Sequence, residues 1–527
     1  MNLYYTAYAN YLNAENISIK SVSLYDIFLR NVFSYRHKTY MKKRPASTES
    51  IANLINNSQQ TIRNYEQLLH DVEEAKAILQ ATPDSNKSSL EFLQLTFEIL
   101  SGGTAGMHEC TIGLCRILQA SNVYEKRYHM QTINLNQFEW CKYLLGKDES
   151  GVFAQYCNLF SECTDNETLA YIYDIRDSIR SLGAKCNSKL RNITAHYDNP
   201  LNIYQELILL NSEDEYVQRL SAQMGIYDKI ILFIRSIFNA IKSRIPSEKA
   251  IPNHKPAPEI DLQALINNQI ANTLHKTELQ KTIDEQLSAA WDKIEHLRKD
   301  YHLCQKTIEF FQRQNIDSSI VQNMLSLLEF QWAVTFMRSD LTCAMNSYLN
   351  ASTMLDGSVC LHRIYMIETA ALTHLYGYKE EYRQKSIWYK IKKIAEFTAI
   401  QDSTQIEHRL SEHTAILNCN RRNLYTHYWE NGSSNISKRW QDFQKMDHAK
   451  ELYRLQNLII LCKDICSYTA SLLSEMDKSQ KKRSAETTRQ INEMICKIKD
   501  IGVKFNNQDI INSAEKLHAI LSNRWLK

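Results

Sequence analysis

The chain has 527 residues, 44% of them hydrophobic and 23% charged, with a formal net charge of +3. That length exceeds what one hydrophobic core usually serves, so two or more domains are expected, and the composition excludes disorder or a fibrous repeat. The small net charge excludes a generally basic nucleic-acid binder, so any attraction to phosphate must be local.

Twelve glycines and seven prolines leave few tight turns, which argues against a many-stranded sandwich or barrel and for long helices joined by short polar loops. None of the thirteen cysteines forms a Cys-x-x-Cys pair, so they read as reduced, packed thiols in a reducing, cytoplasmic setting. The amino terminus, MNLYYTAYANYLNAEN, lacks a basic start followed by an apolar run, and no signal peptide is expected. Apolar stretches such as Ile230 to Ile234 fall far short of the roughly 18 to 20 residues that span a bilayer. A soluble chain with no membrane association follows.

In chain order, the first candidate is a basic, aromatic stretch of Tyr35, Arg36, His37, Lys38, Tyr40, Lys42, Lys43 and Arg44. It suits stacking on and neutralising single-stranded RNA, and equally a solvated loop. SGGTAG at 101–106 lacks the Gly-Lys-Ser/Thr ending of a phosphate loop and reads as a turn or a close helix contact. Leu169, Ile172, Ile175, Ile179 and Leu182 recur at three- and four-residue steps, which predicts one apolar helical stripe. Four of the seven prolines fall in PSEKAIPNHKPAPE, so residues 246–260 are expected to link a first half, 1–245, to a second, 261–527. His408 and His413 are five apart in EHRLSEH, which misses the four-residue spacing of a helical zinc pair. From about residue 477 the chain is polar and charged, as in a solvated helix or helical pair.

The two halves repeat features in the same order, as a duplication would. YEQLLHDVEEAKAIL from Tyr65 resembles in pattern IEHLRKDYHLCQKTI from Ile294, and Leu-Glu-Phe follows each at 90–92 and 328–330. Tyr124 and Tyr128 match Tyr378 and Tyr382. KIILFIRSI from Lys229 aligns without a gap with NLIILCKDI from Asn457, placing Arg235 against Lys463. These segments begin 33 residues after His196 and 30 after His427.

Those two histidines end the most informative segments, RNITAHYDNP and RNLYTHYWENG. An Arg five residues before a His is unspecific alone, but here Asn follows each Arg, Tyr follows each His, and a breaker (Pro200, Gly432) closes each copy. If the segments are helical, Asn192 shares a face with His196 and Asn423 with His427, so each Asn is placed to orient an imidazole. Arg191 then lies about 140° around the helix from His196 and must curl, or the helix must bend, to reach the same phosphate. A plain structural role, capping carbonyls or pairing with acids, suits the same residue types.

The pair of segments resembles the Arg-polar-x-x-x-His signature of the HEPN superfamily, whose members are helical bundles and in many cases metal-independent ribonucleases. The resemblance covers each motif and its flanking helices. It implies an all-α chain of two related helical-bundle halves with additional peripheral helices, in which Arg191, His196, Arg422 and His427 form one composite endoribonuclease site and Asn192 and Asn423 support it. It implies no cofactor and no metal, RNA as substrate, a regulatory or antitoxin-like protein partner, and association as a homodimer if the motifs meet only between chains. Cleavage by a 2′-hydroxyl needs a base, an acid and positive donors, which two His and two Arg supply. Many antitoxin-controlled members carry Tyr two residues after the His, whereas this chain has Asp198 and Trp429. A non-catalytic helical scaffold or an RNA-binding subunit of a larger complex is the alternative expectation.

Overall fold

The computed structural model describes residues 48–525, leaving outside a few single or paired positions and the longer segments 81–86, 161–164, 191–198, 243–275, 395–402, 418–423 and 425–428. The linker at 246–260 and the basic stretch at 35–44 therefore lie outside the described residues. Among those described, the chain is all-α. The only extended pairing found there is two residues long, β1 (Trp429–Glu430) antiparallel to β2 (Ser433–Ser434).

The first half contains α1 (Thr48–Gln80), α2 (Lys87–Gln119), α3 (Val123–Leu145), α4 (Val152–Asn158), α5 (Asn166–Lys185), α6 (Pro200–Ile208) and α7 (Glu213–Lys242). The second contains α8 (Lys276–Arg313), α9 (Ser319–Leu349), α10 (Met354–Leu375), α11 (Glu380–Arg383), α12 (Ile387–Ile391), α13 (Ser403–Ala415), α14 (His448–Lys504) and α15 (Gln508–Trp525). Local chemistry sets many of the ends. Asn122 caps α3 by accepting from the Glu125 N–H, and Gly146, at φ 75°, closes it with an N–H returned to the Lys142 carbonyl, a backbone conformation that favours glycine. Asp165 caps α5 by accepting from the N–H groups of Glu167 and Thr168.

Each half is built around one central helix. In the first, α2 packs on α1, α3, α4 and α7; in the second, α9 packs on α8, α10, α12 and α14. Further out, α3 meets α5 and α5 meets α7, as α10 meets α13 and α13 meets α14. The adjacencies thus recur in the same chain order. The ungapped alignment of KIILFIRSI with NLIILCKDI holds in burial: Ile230, Phe233, Ile234 and Ile237 are buried on α7, and Leu458, Leu461, Cys462 and Ile465 on α14. Arg235 and Lys463 are both exposed. Burying one such side chain stabilises by about 1.5 to 3 kcal/mol, so a four-residue face suffices to fix each helix's rotation. Phe92 and Phe330, the described ends of the two Leu-Glu-Phe landmarks, are also both buried.

One landmark does not correspond. Tyr124 and Tyr128 lie in the first two turns of α3 and are buried, whereas Tyr382 follows α10 on the short α11 and is 39% exposed. α3 and α10 occupy equivalent places, and Tyr382 lies beyond the end of α10, while Tyr378 is outside the described residues. The charged tail is helical, as its composition suggests, and pairs two helices. No break occurs near residue 477; α14 is one 57-residue helix, and α15 folds back along its end.

SGGTAG lies inside α2, as a close helix contact. A Cβ on Gly102 would lie 2.0 Å from the Tyr143 ring and one on Gly106 2.0 Å from that of Trp140. The missing side chains therefore seat two rings of α3 against the α2 backbone, which offsets the roughly 0.5 to 1 kcal/mol that each mid-helix glycine costs.

The halves share a continuous core running from Tyr65 to Met476. α3 packs on α8 and α9, α6 on α9, and α10 on α2. The polar groups at this joint are reciprocal. Glu125 in the first turn of α3 accepts from the Asn346 amide on α9 at 2.5 Å. Asp356, in the first turn of α10 behind its own cap Thr353, accepts from Arg116 on α2 at 2.9 and 3.2 Å.

No helix among the described residues is long and apolar enough to cross a membrane. Every described cysteine is a free thiol and all but Cys496 are buried.

Candidate functional site

Arg191, Asn192 and His196 of the first motif, Arg422, Asn423 and His427 of the second, and Arg36, Lys38, Lys42, Lys43 and Arg44 all lie outside the described residues. The two motifs are nonetheless bracketed closely by described chain, and the geometry of the brackets is informative.

The first motif is entered from α5, whose buried stripe is Ile172, Ile175, Ile179 and Leu182, with Leu169 packed against the core at its edge. After Cys186 the chain turns at Asn187. Its side-chain oxygen accepts from the Leu190 N–H at 3.0 Å, and residues 188–190 are helical. An Asn cap therefore starts a helical turn directly before Arg191. Asn187 is fixed to α3 by a two-way bond: its N–H donates to the Asn134 side-chain oxygen at 2.9 Å, and the Asn134 amide donates to its carbonyl at 3.0 Å. Arg219 of α7, itself buried, donates to the same Asn134 oxygen at 3.0 Å and lies 3.2 Å from the Cys186 sulfur. The Cys141 thiol beside Cys186, together with the Arg219 guanidinium, pulls the Cys186 thiol down from its ordinary range.

The motif leaves into the other half. Asn199 caps α6 by accepting from the Asn202 N–H, and Pro200 occupies the first turn, so the expected breaker opens the next helix. Tyr204 of α6 stacks on Trp291 of α8 at 5.7 Å, lies 6.0 Å from Trp332 of α9, and donates its hydroxyl to Glu295. Arg127 of α3 covers the Trp291 ring at 4.0 Å. The first motif is thus held before by α3 and α7, and after by α8 and α9.

The second motif makes the reverse crossing. Leu424, directly after Asn423, presents its carbonyl to the Arg439 Nε at 2.8 Å, and Arg439 also bonds Glu109 on α2 at 3.1 Å. Arg439 and Glu109 are 7% and 13% exposed, so the pair is sheltered from solvent screening. Beside them lies a small cavity of about 30 Å³ lined by His108, Ser358, His362 and Ile436 among others, room for about one water molecule. The Ser358 hydroxyl and His362 Nε2 are 2.8 Å apart. His108 is fully buried, has no hydrogen-bond partner at Nε2 among the described residues, and burial lowers its pKa to about 3.

Glu109 of α2 carries the tether of the second motif, and the next residue, the buried Cys110 thiol, sits within electrostatic reach of Cys186 and Arg219 at the entry to the first. Consecutive helical residues point about 100° apart with a rise of about 1.5 Å, so the tether and the first motif's entry face one level of α2.

No protein-family model, curated protein or solved structure matches this chain.

The anchors Asn134, Asn187, Arg219, Glu109 and Arg439 carry no sequence signal as a set, because they come from five separate segments. Only the position of Asn187, a cap residue just before a motif, was open to inspection. His408 and His413, whose spacing misses that of a helical zinc pair, differ in their surroundings. His408 is exposed beside Glu412, while burial and the nearby Arg454 and Arg409 lower His413 to about 4. Among the described residues no three His, Cys, Asp or Glu gather with metal-binding spacing. Lys392 pairs with Glu407 at 2.7 Å.

Proposed function

We propose that this chain is a metal-independent endoribonuclease of HEPN type, in which Arg191, His196, Arg422 and His427 act on one phosphate and Asn192 and Asn423 orient the imidazoles. The observation that carries the reading is the reciprocal bracketing of two matched motifs: the first runs from α7 and α3 of its own half onto α8 and α9, and the second is tied back by Arg439 to Glu109, next to Cys110 at the first motif's entry. A shared site asks for that convergence, since proton transfer works only within hydrogen-bond reach of the reacting oxygens. One His takes the 2′-hydroxyl proton, the other protonates the leaving 5′-oxygen, and the guanidinium forks hold the phosphate oxygens. Products carry a 2′,3′-cyclic phosphate and a 5′-hydroxyl. Arg36, Lys38, Lys42, Lys43 and Arg44 are the candidate RNA track. A toxin or defence effector working on cytoplasmic RNA, restrained by a protein partner, is the role that fits.

The test is cleavage of single-stranded RNA by the full chain in EDTA, with end-group mapping. His196→Ala and His427→Ala are each expected to lower the rate by about 10² to 10⁴ without loss of helicity. An unchanged rate in either variant sinks the composite site, and RNA bound but uncleaved by the intact chain would favour the scaffold alternative.

A further inference from the structure

A second cleft, of about 250 Å³, lies between α8, α9 and α14, with Glu285, Gln286, Lys293, Thr335, Arg338 and Cys466 on its lining. With the Leu-Glu-Phe landmarks in register, Thr335 and Arg338 stand where the first half has Phe97 and Leu100, both buried. Ser339 and Thr342 stand where the first half has Ser101 and Thr104, so the halves differ here at two places, where the apolar Phe97 and Leu100 give way to a hydroxyl and a cation.

One carboxylate, Glu285, shares the lining with the two cations. Among the described residues, Arg338 has no hydrogen-bond or ion-pair partner for its side chain, and its Nε is buried and unsatisfied. Lys293 and Gln286, also on the lining, have no side-chain partner there either. Glu285 is near Lys281, at 4.0 Å. The hydroxyls of Thr335, Ser339 and Thr342 donate to the carbonyls of Gln331, Thr335 and Arg338 at 2.7 to 2.8 Å, so their protons are already used. The donors left for a ligand are a guanidinium, an ammonium and an amide. Burying the Arg338 Nε without a partner is costly, and an anion accepting from it in the cleft would offset that cost.

We propose that this cleft binds a compact phosphomonoester. Two cations against the one carboxylate of Glu285 leave the lining a positive balance for an anion, and an Arg fork suits phosphate oxygens. The volume lies just under the roughly 300 to 1,000 Å³ of ordinary small-molecule sites, which favours a small organic phosphate. The site lies apart from the motif anchorages on α2 and is independent of the ribonuclease reading.

Calorimetric titration of the full chain with inorganic phosphate, glycerol 3-phosphate and glycerol tests it. Saturable binding of the two phosphates and none of glycerol is expected, with the tighter of the two identifying free or organic phosphate as the source. Lys293→Gln and Arg338→Leu should each weaken binding about tenfold or more. Arg338→Leu should keep its melting temperature, since Leu100 fills the equivalent place in the first half. Absence of saturable binding at millimolar phosphate, equal binding by both variants, or competition only by RNA without a terminal phosphate overturns the proposal.

Discussion

His108 and His129 are fully buried, and each has an Nε2 without a hydrogen-bond partner among the described residues. Burial lowers both to about 3, with Arg116 and Arg363 adding to the effect at His129. In the unfolded chain each would titrate near 6.5, so below that pH the unfolded state binds protons that the native state refuses. Their stabilising contribution is complete above about pH 6.5 and is lost as pH falls toward 3. Urea unfolding of the wild type is therefore expected to show falling stability from pH 6.5 to 4. His108→Gln should flatten that slope by up to about 1.4 kcal/mol per pH unit. An unchanged slope would mean that His108 is protonated in the native state. The residue matters beyond stability because it neighbours Glu109 in the cavity beside the second motif's tether.

α14 changes character along its length. Up to Met476 it contributes Leu455, Leu458, Leu461, Cys462, Ile465 and Leu472 to the shared core. Beyond that, its principal neighbour is α15. Ile495 and Ala514 are buried there, and Ile511 approaches the place of a Cβ on Gly502 at 2.8 Å. The hairpin is packed on itself, with Met494, Val503 and Phe505 more than 60% exposed. Truncation after residue 480 should lower far-UV helicity in proportion to the helix removed while shifting the melting temperature of the remainder by only about 2 to 4 °C, the effect of losing about 1 kcal/mol. A collapse of the whole transition would show that the hairpin supports the body. The sequence pattern made the tail's polarity legible, but not its continuity with α14, because propensity and charge do not mark where a helix stops being covered.

At the level of the molecule, two bundles with the same order of adjacencies are joined by a shared core and by acids in the first turns of α3 and α10 that each reach the other half. Arg116 and Asp356 are 6% and 1% exposed. Removing one partner leaves a charge buried without compensation, so Arg116→Met is expected to cost about 3 to 5 kcal/mol in chemical denaturation, and replacing both partners by apolar residues to cost much less. Equal losses in the single and double variants would show that the pair's worth lies in packing alone. Because the same joint carries the anchors of both motifs, a partial opening of Arg116→Met should also slow RNA cleavage if the composite site is correct.

The sequence by itself determined the helical class, through scarce Gly and Pro and through three- and four-residue apolar steps such as those of α5. It also determined the register of α7 against α14, since one buried face repeated without a gap admits a single alignment. Both properties are local, set within a few turns of one helix. Tertiary structure alone decided that α3 matches α10, that the second motif is tied to Glu109 of α2 next to a thiol facing the first motif's entry, and that Phe97 and Leu100 in one half give way to Thr335 and Arg338 in the other. Those outcomes depend on side chains separated by hundreds of residues meeting at one level of a helix, and no periodicity within a segment encodes which distant segment will lie against it.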